Sequence, residues 1–228
     1  TLVQGGQQLL PREDPEVSTL ISERFRGEGM NVFTEHRALH FTQEQGKTSL
    51  VCEYHGEQKS IDYDVLLIAL GRRPNTRGFG LEELGIGLSE RGNIEADPFL
   101  RTSCPSIYVC GDVAGPYQFT HTAAHQAWYA AVNALFAPLK KFRVDYSVIP
   151  WATYTDPEVA RVGLNQREAD EQGVRYEVCH YRIDDLDRAI AEGEAHGFVK
   201  VLTVPGTDKI LGVTIIAHHA GELITEFI

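Results

Sequence analysis

Apolar side chains recur at helical spacing in two stretches of this chain of 228 residues. In the first stretch, Asp14-Pro15 precedes the repeat, and Gly27 with Gly29 follows it; these are the signals of a helix start and a helix end. In the second stretch we expect Thr120 or Thr122 to cap the helix. The two repeats are Val17, Leu20, Ile21, Phe25 and His125, Trp128, Val132, Leu135.

Shorter apolar or alternating runs predict strands. The run 65–70 is apolar throughout and the run 107–110 is rich in β-branched and aromatic residues, so each is typical of a buried parallel strand. Further strands are expected at 1–3, 31–33, 50–54, 59–61, 151–154, 159–163, 176–181, 197–204 and 210–216. Asn165 and Glu168 have the spacing of a capping box, which predicts a helix closed by Gly173. Together these elements predict an α/β chain whose last third is α+β.

The composition narrows the possible partners. The net charge of −11 argues against nucleic acid or an anionic membrane as a partner. No run approaches the roughly 18 apolar residues of a membrane span, and no signal-peptide pattern opens the chain, so we expect a cytoplasmic protein. None of the four cysteines forms a C-x-x-C pair, and we expect reduced, mostly buried thiols at Cys52, Cys104, Cys110 and Cys179.

The most informative stretch is Thr102-Ser103-Cys104-Pro105-Ser106-Ile107-Tyr108-Val109-Cys110-Gly111-Asp112. Gly111 allows a close approach to the backbone, and Asp112 follows it where the carboxyl end of the expected strand would lie. A carboxylate in front of a helix N-terminus can accept a ligand hydroxyl, while the helix end favours negative charge. The competing interpretation is that Asp112 only caps a turn.

This stretch resembles the second FAD-binding motif of the pyridine nucleotide-disulfide oxidoreductases, T-S-x-P-x-I-Y-A-x-G-D. Dihydrolipoamide dehydrogenase and mercuric reductase belong to that family. The chain is similar to the family at further motifs in the same order, so the resemblance covers essentially all of its residues. These motifs are A-L-G-R-R-P-N-T at 69–76, Y-T-D-P-E-V-A-R-V-G at 154–163, G-F-V-K-V at 197–201 and A-H-H-A-G-E-L-I at 217–224.

The resemblance implies a set of FAD-binding residues. Asp112 would hydrogen-bond the ribityl chain of FAD, and Arg72 would be a cofactor neighbour, although a solvent-facing salt bridge is at least as good an interpretation of Arg72. The remaining cofactor-binding positions implied are Gly111 and the backbone around Gln118, Phe119, Thr120 and His121.

The resemblance also implies a domain order and a function. Residues 1–70 would belong to an NAD(P)-binding domain, 71–145 to the returning part of a Rossmann-like FAD-binding domain, and 146–228 to an interface domain. The implied enzyme passes a hydride from NAD(P)H through FAD to a disulfide or another small acceptor, and acts as a homodimer. Trp151, Tyr154, Val159 and Val162 are expected to line one side of the interface sheet. The alternative is a non-catalytic dimerisation module with a vestigial FAD motif.

Three segments of the family pattern do not occur in this sequence: the G-x-G-x-x-G fingerprint, the C-x4-C redox pair and the H-P-T-x-x-E segment. We therefore interpret the chain as an internal fragment, expect it to be colourless and inactive alone, and assign no catalytic residue. Gln4 stands near the family's ribose-binding acid and leaves NADH and NADPH both open.

Two further clusters raise the possibility of metal or acid-base chemistry. His121 and His125 share the spacing of a zinc pair, but the general-base Glu and a third ligand are missing, so we expect no metal. Asp184, Asp185 and Asp187 lie beside two arginines, which is typical of a solvated charged loop.

Overall fold

The computed structural model describes residues 1–44 and 46–228, and the chain divides into two compact units. Unit 1 comprises residues 1–67 and 150–228, and unit 2 comprises residues 68–149. The helices are α1 (Pro15–Gly27), α2 (Thr120–Phe136), α3 (Gln166–Glu171), α4 (Asp187–Glu192) and α5 (Ala220–Leu223). The strands are β1 (Leu2–Val3), β2 (Val32–Phe33), β3 (Arg37–Glu44), β4 (Lys47–Tyr54), β5 (Glu57–Asp62), β6 (Trp151–Thr153), β7 (Glu158–Gly163), β8 (Glu177–Arg182), β9 (Phe198–Thr203) and β10 (Ile210–Ala217). This mixture of helices and strands confirms the predicted fold class.

The first part of unit 1 is a parallel strand pair followed by a three-stranded meander. β1 and β2 pair in parallel, and α1 connects them. α1 begins at Pro15, as predicted, and buries Val17 and Ile21. Strands β3, β4 and β5 form the antiparallel meander. Between β4 and β5, His55 and Gly56 have φ values of 49° and 85°, the left-handed backbone that a two-residue hairpin turn requires.

The last part of unit 1 is a five-stranded antiparallel sheet in the order β6-β7-β10-β9-β8. The predicted capping box at the start of α3 is confirmed: the Asn165 side chain accepts a hydrogen bond from the Glu168 backbone N–H, and the Glu168 carboxylate accepts one from the Asn165 backbone N–H. Gly173 follows the helix with φ 65°, as predicted for its end.

Both faces of this sheet carry apolar clusters. On one face Val159 packs with Val17 and Ile21 of α1, and on the other Val162 packs with residues of α5. The prediction that Val159 and Val162 line one side is therefore wrong, because side chains three residues apart on a strand point to opposite faces. α1 provides the apolar cover on the Val159 face, and Tyr154 is exposed.

The predicted buried strand at 65–70 is wrong. These residues adopt no strand, and Val65 and Leu70 are 89% and 84% exposed. The run contains the break between the two units. A strand needs a neighbouring strand to satisfy its peptide groups, and within the described residues none pairs with this run.

Unit 2 is built mainly from turns around one long helix, α2. The predicted strand at 107–110 is also wrong: among the described residues, this segment forms an isolated antiparallel bridge between Arg101 and Tyr108 rather than a strand. A small apolar cluster holds this region together and contains Leu81, Ile86, Ile94 and Val109.

Other predictions need smaller corrections. The acidic stretch after β8 forms a 3₁₀ turn (Ile183–Asp185) followed by α4, so it is solvated but is not a loop. The described cysteines form no disulfide, as expected, but Cys110 and Cys179 are exposed, so the thiols are not mostly buried. Burial raises the pKa of the Cys52 thiol. Every helix within residues 1–44 and 46–228 is too short or too polar to cross a bilayer.

Candidate functional site

The turn that follows residues 107–110 is held in a fixed shape. Gly111 has φ 82°, a conformation that favours glycine, and a Cβ there would lie 3.5 Å from the Cβ of Ala123. Asn93 donates hydrogen bonds from Nδ2 to the carbonyl oxygens of Asp112 at 3.1 Å and Val113 at 3.3 Å. The backbone of Asp112 is thus fixed, while its side chain is partly exposed.

Gln126 clamps both ends of this turn from inside α2. Its side chain is fully buried. Its Oε1 accepts a hydrogen bond from the Gly111 N–H at 2.6 Å, and its Nε2 donates to the Gly115 carbonyl at 2.6 Å and the Tyr146 hydroxyl at 2.9 Å. Burial raises the pKa of Tyr146. The amide can both donate and accept, so one side chain satisfies two separate backbone groups.

The N-terminus of α2 lies directly after the turn. Phe119 is the N-cap and makes no side-chain cap, so the prediction that Thr120 or Thr122 caps the helix is wrong. The first turn of this 17-residue helix contains no acidic residue. The Oγ1 atom of Thr122 is buried without a hydrogen-bond partner among the described residues. An uncapped helix start of this kind favours an anionic or hydrogen-bond-accepting ligand group.

Arg72 lies across from the acid. Its Nη1 atom is 3.2 Å from the Asp112 carboxylate and 3.4 Å from the Gln118 carbonyl oxygen. Both side chains of the ion pair are largely exposed, so the pair itself contributes at most about 1 kcal/mol. The structure therefore brings together Arg72, Gly111, Asp112 and Gln118 of the predicted set.

Aromatic rings stack on one another at the N-terminus of α2. Phe119 and His121 stack at 5.3 Å between ring centroids, and Tyr117 stacks on Phe119 at 6.1 Å. His125 instead lies within hydrogen-bonding distance of the Asp145 carbonyl oxygen, 2.7 Å from Nε2. In the described part of the chain, no three His, Cys, Asp or Glu side chains converge as a metal site would require.

Sequence reasoning missed Asn93 and Gln126, which hold the turn. Both have side-chain amides, and an isolated Asn or Gln in a sequence is more typical of a surface position. The signal that could have found Gln126 is its place in α2, one helical turn after Thr122 and on the same buried face.

A parallel strand pair, a glycine-acid turn before an uncapped helix and an antiparallel sheet define an α/β protein with a candidate ligand-binding turn. Comparison with known families gives the assignment. The sequence model of the pyridine nucleotide-disulphide oxidoreductases matches residues 1–127, and the model of the dimerisation domain of the same enzymes matches residues 149–228. The chain belongs to the pyridine nucleotide-disulphide oxidoreductase family.

Individual relatives agree with this assignment. The chain is 33% identical to the dihydrolipoyl dehydrogenase of Chlamydia trachomatis, covering 99% of this chain and 47% of that protein. It is also 33% identical to a mercuric reductase of Staphylococcus aureus, covering 98% of this chain and 41% of that protein. The chain thus spans about half the length of the curated relatives it matches.

Solved structures show the same fold. The crystal structure of LpdA from Mycobacterium tuberculosis matches with a TM-score of 0.87 at 27% identity, covering 99% of this chain and 49% of that one. The HOCl-induced flavoprotein disulfide reductase RclA from Escherichia coli matches with a TM-score of 0.84 at 25% identity, covering 100% of this chain and 52% of that one.

Proposed function

We propose that this chain is part of an FAD-dependent oxidoreductase that takes a hydride from NAD(P)H and passes reducing equivalents to a disulfide or another small acceptor. The observation that carries the proposal is the Asp112 carboxylate, held beside the uncapped start of α2 on a turn that Asn93 and Gln126 fix. Relatives with 33% identity are named dihydrolipoyl dehydrogenase and mercuric reductase, which supports the same reaction class.

The residues of the turn fit FAD. Asp112 would accept a hydrogen bond from a ribityl hydroxyl. This hydrogen bond would replace part of the solvent-exposed ion pair between Asp112 and Arg72. Gly111, Gln118, Phe119, Thr120 and His121 would form the surface next to the flavin ring. The buried Oγ1 of Thr122, just inside α2, has no hydrogen-bond partner among the described residues.

Bound FAD would supply the hydride and electron chemistry, and the chain would supply orientation and electrostatics. The N-terminus of α2 would stabilise negative charge on the reduced ring because the helix dipole is positive at that end. Arg72 would add a second positive charge beside Asp112. We assign no proton-transferring residue within the chain.

We further propose the domain roles. Residues 1–70 would belong to the NAD(P)-binding domain, 71–145 to the FAD-binding domain and 146–228 to the interface domain of a cytoplasmic homodimer. The match of a dimerisation-domain model to residues 149–228 supports the last assignment. The breaks between the two units, after Leu67 and before Pro150, lie close to the proposed boundaries.

The test is flavin retention by the full-length protein after Asp112→Ala. We expect FAD to bind about 5- to 100-fold more weakly, because a partly buried hydrogen bond to a charged group is lost. Asp184→Ala is the matched control. Asp184 also pairs with an arginine, and its side chain is 43% exposed against 45% for Asp112, but it lies in unit 1.

Equilibrium dialysis and the flavin absorbance of the purified proteins give the measurement. Weaker binding in Asp112→Ala with full flavin in Asp184→Ala supports the proposal. Wild-type flavin affinity in Asp112→Ala would contradict it, and a wild-type protein that binds no flavin would favour the vestigial-motif alternative.

A further inference from the structure

A row of polar side chains crosses the five-stranded sheet on the face that α1 covers. The strand register places Trp151, Arg161, Thr214, Lys200 and His180 opposite one another on successive strands. Arg161 and Lys200 are 0% and 1% exposed. Two cations buried this deeply need charged or carbonyl partners, since removing each from water is strongly unfavourable.

Lys200 finds its partners at the start of α1. Its Nζ atom lies 2.5 Å from a carboxylate oxygen of Asp14, which is the N-cap residue, and also contacts the carboxylate of Glu16. Gln166 of α3 completes the set at 2.9 Å. The Asp14 carboxylate in turn accepts hydrogen bonds from the backbone N–H groups of Gln166 and Arg167 at 3.3 and 3.2 Å. Asp14 therefore caps α3 rather than its own helix.

Arg161 holds the residues just before α1. Its Nε lies 3.0 Å from the Glu13 carboxylate, and its Nη2 donates to the Arg12 carbonyl at 3.2 Å. Glu168 accepts from both terminal nitrogens of the guanidinium, at 2.5 and 2.9 Å. Trp151 donates from Nε1 to Glu13 at 3.0 Å and stacks under the guanidinium at 4.2 Å.

A chain of hydrogen bonds runs from Glu13 back to the carboxyl end of β1. Gln8 donates from Nε2 to the Glu13 carbonyl at 3.2 Å, and Gln4 donates from Nε2 to the Gln8 carbonyl at 3.5 Å. Gln4 immediately follows β1, which pairs in parallel with β2. Ligands of open α/β sheets bind beyond the carboxyl ends of parallel strands, so residues 4–14, the anchor segment, lie where a nucleotide would bind.

We propose that Arg161 and Lys200 are positioning residues for the pyridine nucleotide. They fix the anchor segment from the antiparallel sheet, and the affinity for NAD(P)H depends on that attachment. This inference rests on the proposed function, because it requires a nucleotide to bind beyond β1. Since Arg161 and Lys200 are buried, a shift of the anchor segment would leave a buried charge without its partner.

The test is nucleotide affinity of the full-length, flavin-loaded protein after Lys200→Met. The dissociation constants of NADH and NADPH are measured by fluorescence titration. We expect the dissociation constant of the nucleotide that the enzyme prefers to rise about tenfold. Flavin content, and kcat at saturating nucleotide, should stay near wild type, which loss of stability alone would not produce. Lys200→Arg should restore part of the affinity.

Two further variants complete the experiment. Thr214→Val is the matched control: Thr214 lies in the same row between Arg161 and Lys200, but its Oγ1 has no hydrogen-bond partner among the described residues. We expect wild-type nucleotide affinity from it. Trp151→Phe keeps a ring under Arg161 and removes one donor to Glu13, so it should fold and weaken nucleotide binding about threefold.

The outcomes distinguish a failure of the positioning role from a failure of the proposed function. If Lys200→Met fails to fold, Trp151→Phe against Thr214→Val carries the test. Unchanged nucleotide affinity in the variants that fold, with flavin and kcat retained, overturns the positioning role and leaves the proposed function intact. A wild-type protein that holds flavin but binds neither nucleotide overturns both.

Discussion

In unit 1 the largest buried polar side chains are the cations Arg161 and Lys200, whereas in unit 2 they are the neutral amides of Gln126 and Asn133. The cations lie on a regular sheet, whose strands already satisfy their own peptide groups. The amides lie on α2 beside turns, whose peptide groups are not paired with a neighbouring strand. Asn133, for example, donates to the carbonyls of Phe99 and Phe142 and accepts from the Phe142 N–H.

This difference shows what each kind of side chain can do. A buried cation attaches one distant segment strongly, but only if that segment carries a carboxylate in the right place. A buried amide both donates and accepts, so it can replace missing strand pairing where the chain must turn. Unit 1 is therefore expected to be sensitive to charge, and unit 2 to the loss of single neutral hydrogen bonds.

The largest effect is expected for Arg161→Met. The change leaves the buried carboxylate of Glu13 without its cation, and burial already raises the pKa of Glu13. We expect the free energy of unfolding to fall by about 3–5 kcal/mol. Chemical denaturation of the full-length protein gives the measurement. Arg182→Ala, which breaks a solvent-exposed ion pair, is the control and should leave the unfolding midpoint unchanged.

A double-mutant cycle sharpens this prediction. Arg161→Met combined with Glu13→Gln removes both charges, so it should cost less than the sum of the single changes. Strict additivity, or a loss below about 1 kcal/mol for Arg161→Met, would show that the buried pair does not hold the anchor segment.

Gln126→Met should have the next largest effect. It leaves the Gly111 N–H and the Gly115 carbonyl without their partners, and we expect a loss of about 2–3 kcal/mol. Hydrogen exchange of the amides at 111–115 should report faster local opening. Gln172→Met, at an exposed glutamine, is the control. Unchanged hydrogen-exchange rates at 111–115 would show that the hydrogen bonds of Gln126 are not needed to hold this turn.

The smallest effect is a pH dependence at Asp14. Burial acts to raise the pKa of this carboxyl, but the hydrogen bonds from Lys200, Arg167 and Gln166 hold it below the usual value of 3.8. A lowered pKa stabilises the fold above the unfolded value and loses this contribution as pH falls through the folded value. Asp14→Asn should therefore cost about 1–2 kcal/mol at pH 7.

Denaturation at a series of pH values tests the sign. The difference between wild type and Asp14→Asn should shrink as the pH falls below 3.8. The raised pKa of Glu13 acts in the opposite direction, because its folded form gains protons first. A difference that grows towards acid pH would contradict the assigned role of Lys200.

The sequence predicted those elements that local chemistry determines. The Pro15 helix start and the capping box at Asn165 each depend on residues within a few positions of one another. The runs at 65–70 and 107–110 were mispredicted because apolar composition suits a strand only when another strand is available to pair with it.

The motif residues of the candidate site were predicted from the sequence, but the side chains that hold them in place were not. Asp112 and Gly111 occur in a recognisable motif, whereas Gln126 and Asn93 are single amides with no local pattern. Lys200 and Arg161 were missed for a similar reason, since charged residues are normally exposed. The alternation of β9 held a clue: Lys200 lies between Phe198 and Leu202, two positions apart on each side, and all three are buried.

The most direct test of the candidate site is the crystal structure of the full-length protein with bound flavin. We expect FAD beside the start of α2, with a ribityl hydroxyl within about 3 Å of the Asp112 carboxylate and the turn still held by Gln126. A flavin bound elsewhere, with the Asp112 carboxylate paired only to Arg72, would contradict it.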